Sequence, residues 1–126
     1  IENNLINKRR SLYIVALAGP LSNIIIALLS TIAFHIVDNQ TLTSTLFAYM
    51  ATINILLALF NLLPIPPLDG SNIIYSFLSE KMAFNYRKII GKYGNYGFIL
   101  IIILFNVYPQ IIFTPLSIIL SILGLK

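Results

Sequence analysis

Residues 61–70 read NLLPIPPLDG and follow directly on a long apolar run. The three prolines, Pro64, Pro66 and Pro67, fix φ, lack an N–H group and disfavour a helical conformation in the residue before each of them. The stretch is therefore predicted to be an ordered, non-helical loop that presents one carboxylate, Asp69. At membrane depth, irregular backbone is tolerated only where protein or water satisfies it, and an ionisable group there indicates a functional site.

The composition around this loop is that of an integral membrane protein. Of the 126 residues, 58% are hydrophobic and 10% are charged, and the mean hydropathy is +0.90. These values exclude a soluble domain with a charged, solvated surface. The eight Lys and Arg residues form short groups between apolar runs, so they indicate membrane topology and not a nucleic acid partner.

The apolar runs predict an all-α membrane protein in which residues 1–126 form a single membrane-embedded domain. About three transmembrane helices are expected, at residues 12–37, 46–63 and 98–123, with the Pro-rich loop after the second. Gly19 and Pro20 predict a break in the first span.

Two segments after the loop complete this prediction. A short amphipathic helix is expected first, with Asp69 or Ser71 near its N-cap, followed by a basic interfacial segment. Pro109 and Pro115 predict that the third apolar stretch is either one kinked span or a span followed by a re-entrant piece.

Small and polar residues recur on one face of each of the first two spans, at spacings of three and four. We expect the two faces to pack together, because buried amides need partners that lipid cannot supply. The residues concerned are Ala16, Gly19, Asn23, Ala27 and Ser30 in the first span and Ala51, Asn54, Ala58 and Asn61 in the second.

The distribution of cations predicts the orientation. Three cations precede the first span, none lies between the first and second, and four lie between the second and third. The N-terminus and the Pro-rich loop are therefore expected on the cytoplasmic side of a multi-pass, bacterial-type cell membrane protein.

The residues alone leave the role of Asp69 open. Its carboxylate could bind a cation such as zinc, relay a proton, or cap the following helix, and a catalytic zinc site needs three protein ligands. His35, the single histidine, is expected at the outer interface, away from Asp69. Asn61 stands directly before the loop and is the amide that we assign to the site.

Two stretches together resemble the site-2 protease family of intramembrane zinc metalloproteases. They are ALAGPLSN, residues 16–23, and NLLPIPPLDG, residues 61–70. The resemblance implies that Asp69 is the third zinc ligand and that Asn61 lies beside the metal, where its amide could donate to the developing oxyanion. Asn23 matches the Gly-Pro-x-x-Asn element of the family.

In that family, a His-Glu-x-x-His helix before these motifs supplies two further zinc ligands and the general base, and residues 1–126 do not contain it. We therefore expect a C-terminal fragment of a Zn²⁺-dependent protease core that cleaves membrane-spanning substrates within the lipid bilayer, inactive by itself. The alternatives are a catalytically silent homologue, a transporter or channel subunit with Asp69 as ion or proton site, and a non-catalytic membrane scaffold.

Overall fold

The computed structural model describes residues 2–126, with the side chains at positions 2, 3, 5 and 6 excepted. All regular elements in this part of the chain are helices, as predicted. They are α1 (Glu2–Ile36), α2 (Leu42–Asn61), α3 (Asp69–Phe77), α4 (Glu80–Tyr93), α5 (Gly97–Val107) and α6 (Gln110–Ile122), with a 3₁₀ turn at Gly94–Tyr96 between α4 and α5.

Three helical stretches are long and apolar enough to cross a membrane, by length and composition, which confirms the predicted fold class. They are Asn7–Ile36, Leu42–Asn61 and Glu80–Val107. The first two agree with the predicted spans within a few residues. The third begins much earlier than the predicted stretch 98–123.

The predicted bounds of the third span are wrong because the helix ends in the middle of the apolar run. Tyr108 leaves the helical conformation with φ −142° and ψ 64°, in agreement with the bias against helix in the residue before proline, and Pro109 precedes α6. At 1.5 Å per residue, α5 and α6 are about 17 and 20 Å long, well short of a hydrocarbon core of roughly 30 Å. In contrast, residues 80–107 contain no proline, and α4 continues through the 3₁₀ turn into α5.

The predicted break at Gly19 and Pro20 is also wrong, because α1 remains helical through both residues. Proline removes a single backbone hydrogen bond, and neighbouring residues commonly satisfy the freed carbonyl in membrane-spanning helices. The Pro20 side chain is fully buried, so packing supports the helix at this point.

The helix ends follow local sequence signals. The Thr41 hydroxyl accepts a hydrogen bond from the Ser44 amide at 3.1 Å and so caps the start of α2. The Ser79 hydroxyl likewise accepts from the Met82 amide at 3.4 Å before α4. The prolines predicted that α2 ends at Leu63, directly before Pro64, and the helix ends two residues earlier, at Asn61.

The chain folds as two compact units. The first consists of Ile1–Gly19 with Asn61–Tyr108, and the second of Pro20–Phe60 with Pro109–Lys126. The second unit has an apolar core of Ala27, Ile55 and Leu116, contributed by α1, α2 and α6.

Five of the six small residues predicted to line helix contacts are buried in their units, namely Ala16 in the first unit and Ala27, Ser30, Ala51 and Ala58 in the second. The sixth, Gly19, is half-buried. The amides behave differently, because the Asn54 Nδ2 donates to the Met50 carbonyl of its own helix at 2.8 Å. Asn54 therefore satisfies its amide without a bond across the helix contact.

His35 lies in the last turn of α1, within the second unit. Its Nε2 lies 2.7 Å from the Leu123 carbonyl oxygen, which accepts a hydrogen bond at the C-terminus of α6. The side chain is exposed. Its contact with the Leu123 carbonyl caps the C-terminus of α6.

Candidate functional site

The Pro-rich loop of the first unit is compact and internally bonded. Leu63, Ile65 and Leu68 turn their side chains inward and are at most 9% exposed. The Ile65 amide donates to the Leu63 carbonyl at 2.8 Å, and the Leu68 amide donates to the Ile65 carbonyl at 2.9 Å. Residues 62–68 are thus ordered and non-helical, as the prolines predicted, whereas Asn61, Asp69 and Gly70 at the ends of the predicted loop belong to α2 and α3.

Two glycines allow backbone to approach the loop closely. A Cβ atom on Gly97, the first residue of α5, would overlap the Pro66 carbonyl oxygen. A Cβ atom on Gly70 would overlap the carbonyl oxygens of Leu62 and Leu63. Only glycine fits at either position, so the loop is held between the start of α3 and the start of α5.

One face of the loop borders an apolar groove of about 400 Å³ within the first unit. Pro64 and Pro66 line it from the loop, and Ile90, Tyr93 and Leu100 line it from α4 and α5. The prolines therefore shape a surface as well as stiffening the chain.

Asp69 begins α3 and is half-buried. The N-cap position belongs to Leu68, so Asp69 is not the N-cap residue of this helix. Ser71 Oγ donates to the Leu68 carbonyl at 2.8 Å, two residues into the helix. Asp69 thus occupies the first helical position, next to the N-cap, where a carboxylate interacts favourably with the helix dipole.

The Asp69 carboxylate lies against Gly19 of α1. A Cβ atom on Gly19 would stand 2.9 Å from Asp69 Oδ2, closer than side chains normally approach. This contact joins the two sequence stretches, ALAGPLSN and NLLPIPPLDG, that carry the resemblance. Sequence reasoning placed Gly19 on a packing face and missed this contact, since its only signal was a glycine beside a proline.

The three asparagines of the predicted packing faces, Asn23, Asn54 and Asn61, are distributed over both units. Asn61 is the last residue of α2, half-buried, and belongs to the same unit as Asp69. Asn23 and Asn54 belong to the second unit. The assignment of Asn61 to the site therefore remains a prediction based on its place at the start of the loop.

Arg9 is a residue whose role sequence reasoning missed. Its Nη2 donates to the carbonyl oxygens of Tyr75 at 2.9 Å, Ser76 at 3.3 Å and Leu78, all at the end of α3. Sequence analysis treated Arg9 as a topology signal only. No local pattern links Arg9 to Tyr75 and Leu78, which follow it in the chain at separations of 66 and 69 positions.

The comparisons with known proteins cover the Pro-rich loop. The model of peptidase family M50 matches residues 34–105, which include the whole Pro-rich loop and more than half of the chain. This chain belongs to peptidase family M50. No solved structure matches it.

Several curated M50 relatives resemble the chain. "Putative zinc metalloprotease YwhC" of Bacillus subtilis is 32% identical over 101 residues, which cover 73% of this chain and 44% of the relative. "Putative zinc metalloprotease MJ0611" of Methanocaldococcus jannaschii is 40% identical over 60 residues, 48% of this chain and 31% of the relative. "Putative zinc metalloprotease Rip3" of Mycobacterium tuberculosis is 32% identical over 80 residues, 61% of this chain and 20% of the relative. The chain thus spans less than half the length of these relatives.

The candidate site offers one carboxylate, that of Asp69. Among the side chains that the structure describes, no three His, Cys, Asp or Glu residues lie close enough together to hold a metal ion. Asp69 itself fits, because zinc accepts carboxylate oxygen and because Gly19 leaves its carboxylate a space that any side chain would fill. Of the residues described, Asp69 therefore fits one ligand position of a zinc site.

Proposed function

We propose that this M50 chain is part of an intramembrane zinc metalloprotease that hydrolyses peptide bonds in membrane-spanning substrates. In this proposal Asp69 is the third zinc ligand, and two further ligands come from residues outside 1–126. The contact between the Asp69 carboxylate and Gly19 carries the proposal, because it brings the two resembling stretches together around one metal-binding side chain. The zinc metalloprotease names of the relatives support it.

The residues of this chain would act on the substrate and the metal in distinct ways. A bound zinc ion supplies Lewis-acid chemistry, polarising water and the scissile carbonyl. Asp69 presents its carboxylate at the start of α3, directly after a loop that the prolines stiffen and that packs closely against Gly70 and Gly97, so little reorganisation is needed. The Asn61 amide would donate a hydrogen bond to the oxygen on which negative charge develops.

The surroundings of the site belong to the same proposal. The chain would lie in the lipid bilayer as a multi-pass protein of a bacterial-type cell membrane, with the Pro-rich loop on the cytoplasmic side. Its partners would be membrane protein substrates, whose helices must unwind locally to expose a peptide bond. The polar loop backbone would give water a route to the bond.

The decisive experiment replaces Asp69 in the full-length protein. Asp69→Asn keeps the shape of the side chain but removes the charge that binds the cation, so we expect loss of both zinc and cleavage of a membrane-spanning substrate. Asp69→Ala should behave in the same way. The matched control is Asp38→Asn, which makes the same chemical change in the exposed connection between α1 and α2.

Two outcomes would redirect the proposal. Full zinc content and cleavage in Asp69→Asn would remove the ligand assignment. A wild-type protein without zinc, in which Asp69→Asn alters ion or proton flux, would favour the transporter alternative.

A further inference from the structure

We propose that Arg9 is a positioning residue for Asp69, acting through α3. The inference rests on the proposed function, since it concerns the placement of the proposed zinc ligand. Asp69 is the first residue of α3, a helix of nine residues. Whatever fixes the far end of so short a helix also fixes the direction in which its first residue is presented.

The far end of α3 is held by the Arg9 guanidinium. The last carbonyl groups of a helix have no partner within the helix and carry partial negative charge. Arg9 Nη2 donates to three carbonyls there, those of Tyr75, Ser76 and Leu78. Its Nε is buried without a hydrogen-bond partner among the described residues, so the other contacts must outweigh that cost.

Aromatic contacts reinforce this attachment. The Arg9 guanidinium lies 5.3 Å from the centre of the Tyr75 ring, and the Arg87 guanidinium of α4 lies 4.9 Å from the same ring. Tyr75 also stacks on Tyr86, whose hydroxyl donates to the Ser71 carbonyl at 3.1 Å. The end of α3 is therefore tied to both α1 and α4.

The contacts between α1 and α3 occur at matching intervals. Arg9 and Gly19 are ten positions apart on α1, about 15 Å at 1.5 Å per residue. Asp69 and Leu78 are nine positions apart, about 14 Å if helical throughout. At the Arg9 end, one turn further along α1, the ring of Tyr13 meets that of Phe77, the last residue of α3, edge to face with centroids 5.4 Å apart.

It follows that α3 lies antiparallel along α1 and is attached at both ends. At one end the Asp69 carboxylate fits the space left by Gly19, and at the other Arg9 binds the terminal carbonyls. Without Arg9, the carboxylate would keep its neighbour but lose the restraint on its direction. A metal ligand needs that restraint, because supporting contacts commonly change metal affinity by about 10- to 100-fold.

The test measures zinc affinity in the full-length protein by competition with a chelator. We expect Arg9→Gln to weaken zinc binding by about tenfold. Arg9→Lys should lose less, since lysine keeps the charge at the helix end but lacks the fork of the guanidinium. The matched control, Arg10→Gln, removes a cation from the neighbouring exposed position and should leave zinc affinity unchanged.

A second readout is independent of zinc. The chain contains no cysteine, so a Tyr13→Cys and Phe77→Cys pair can report the approach of α1 and α3 through a short thiol-reactive cross-linker. We expect Arg9→Gln to reduce the cross-linking yield several-fold and Arg10→Gln to leave it unchanged. If Arg9→Gln does not insert into the membrane, Arg9→Lys serves for both measurements, with a smaller change in the same direction.

The two readouts separate the possible failures. Unchanged cross-linking in the Arg9 variants would overturn the inference, even if zinc affinity fell. Reduced cross-linking with unchanged zinc affinity would also overturn it, because Asp69 would then be placed without Arg9. Absence of zinc from the wild-type protein would overturn the proposed function, while reduced cross-linking would still support the attachment of α3 by Arg9.

Discussion

At the residue scale, the site depends on the absence of a side chain at Gly19. Alanine favours helix more than glycine does, by roughly 0.5–1 kcal/mol, so Gly19→Ala should not weaken α1 itself. Its Cβ would stand 2.9 Å from Asp69 Oδ2, which is the mobile end of a side chain and can shift. We therefore predict a folded protein with a displaced carboxylate, in which zinc affinity and cleavage fall on the order of tenfold.

The control for this prediction is Gly91→Ala in α4. A Cβ atom there meets nothing within 4 Å, so the substitution adds only helix propensity. Chelator competition and substrate cleavage should match the wild type in Gly91→Ala. Equal activity of the two variants would show that the Asp69 carboxylate does not need the space at Gly19.

A second prediction at the residue scale concerns Asn61. If its amide stabilises charge in the transition state, Asn61→Ala should lower kcat on the order of 10²-fold and change KM much less. The control is Asn54→Ala, about two turns earlier in α2, where the amide is already bonded to Met50 of its own helix. A loss of thermal stability that parallels the loss of activity would instead assign Asn61 to packing.

At the scale of elements, the Pro-rich loop is held by the helices that follow it. Gly97→Ala would drive a Cβ atom into the Pro66 carbonyl, which is backbone and cannot move aside cheaply. We predict destabilisation by about 1–3 kcal/mol or more, measured by thermal or denaturant unfolding in detergent. Gly94→Ala, one turn earlier, places its Cβ at 3.4 Å from a single Ile90 methyl group and should be tolerated. Equal stability of the two variants would contradict the close packing of α5 on the loop.

The elements also show what the sequence could and could not predict. Local signals were sufficient for α2, α3 and the loop, because proline and apolar periodicity act over a few residues. They did not show that residues 80–97 continue as a helix into α5, and the interfacial position predicted for this basic segment stays a prediction. Cations mark where hydrocarbon ends, whereas proline marks where a helix ends, and here the two boundaries differ.

The candidate site, too, could be predicted from the sequence only in part. Asp69 was identified from the sequence because a carboxylate beside prolines in an apolar chain is unusual. Its neighbour Gly19 lies fifty positions away, and Arg9 lies sixty-six positions from the Tyr75 carbonyl it binds. Such contacts depend on how α1 and α3 meet in space, and no spacing in the sequence records them.

At the scale of the whole molecule, the distribution of cations predicts the orientation in the membrane. Single cysteines replacing Asn7 and Asn85 should react with an impermeant thiol reagent from the cytoplasmic side, and one replacing Thr43 only from outside. All three side chains are exposed, and the chain has no cysteine of its own. Labelling of the Thr43 position from the cytoplasm would reverse the orientation.

The Asn85 position tests more than orientation. It lies within the helical stretch Glu80–Val107, close to Lys81, Arg87 and Lys88. Because these cations avoid hydrocarbon, we expect α4 to lie outside the membrane core and the apolar part of this stretch to begin after Lys92. Protection of the Asn85 cysteine from reagents on both sides would place α4 inside the core instead.

The last prediction concerns zinc in the whole molecule and follows from counting ligands. A catalytic zinc site takes three protein ligands and keeps one position open. Asp69 offers one carboxylate, and His35 is engaged at the Leu123 carbonyl. We therefore predict that residues 1–126, purified in detergent, hold no stoichiometric zinc and have no peptidase activity, whereas the full-length protein has both.

Metal analysis of the two proteins decides between the remaining possibilities. Stoichiometric zinc on residues 1–126 would mean that several copies assemble their Asp69 side chains around shared ions, and the Asp69→Asn variant would then lose that zinc. Zinc in neither protein, together with normal folding, would favour a catalytically silent member of family M50. Zinc in the full-length protein that survives Asp69→Asn would mean that three ligands come from outside residues 1–126. Asp69 would then have only a structural role, through its contact with Gly19.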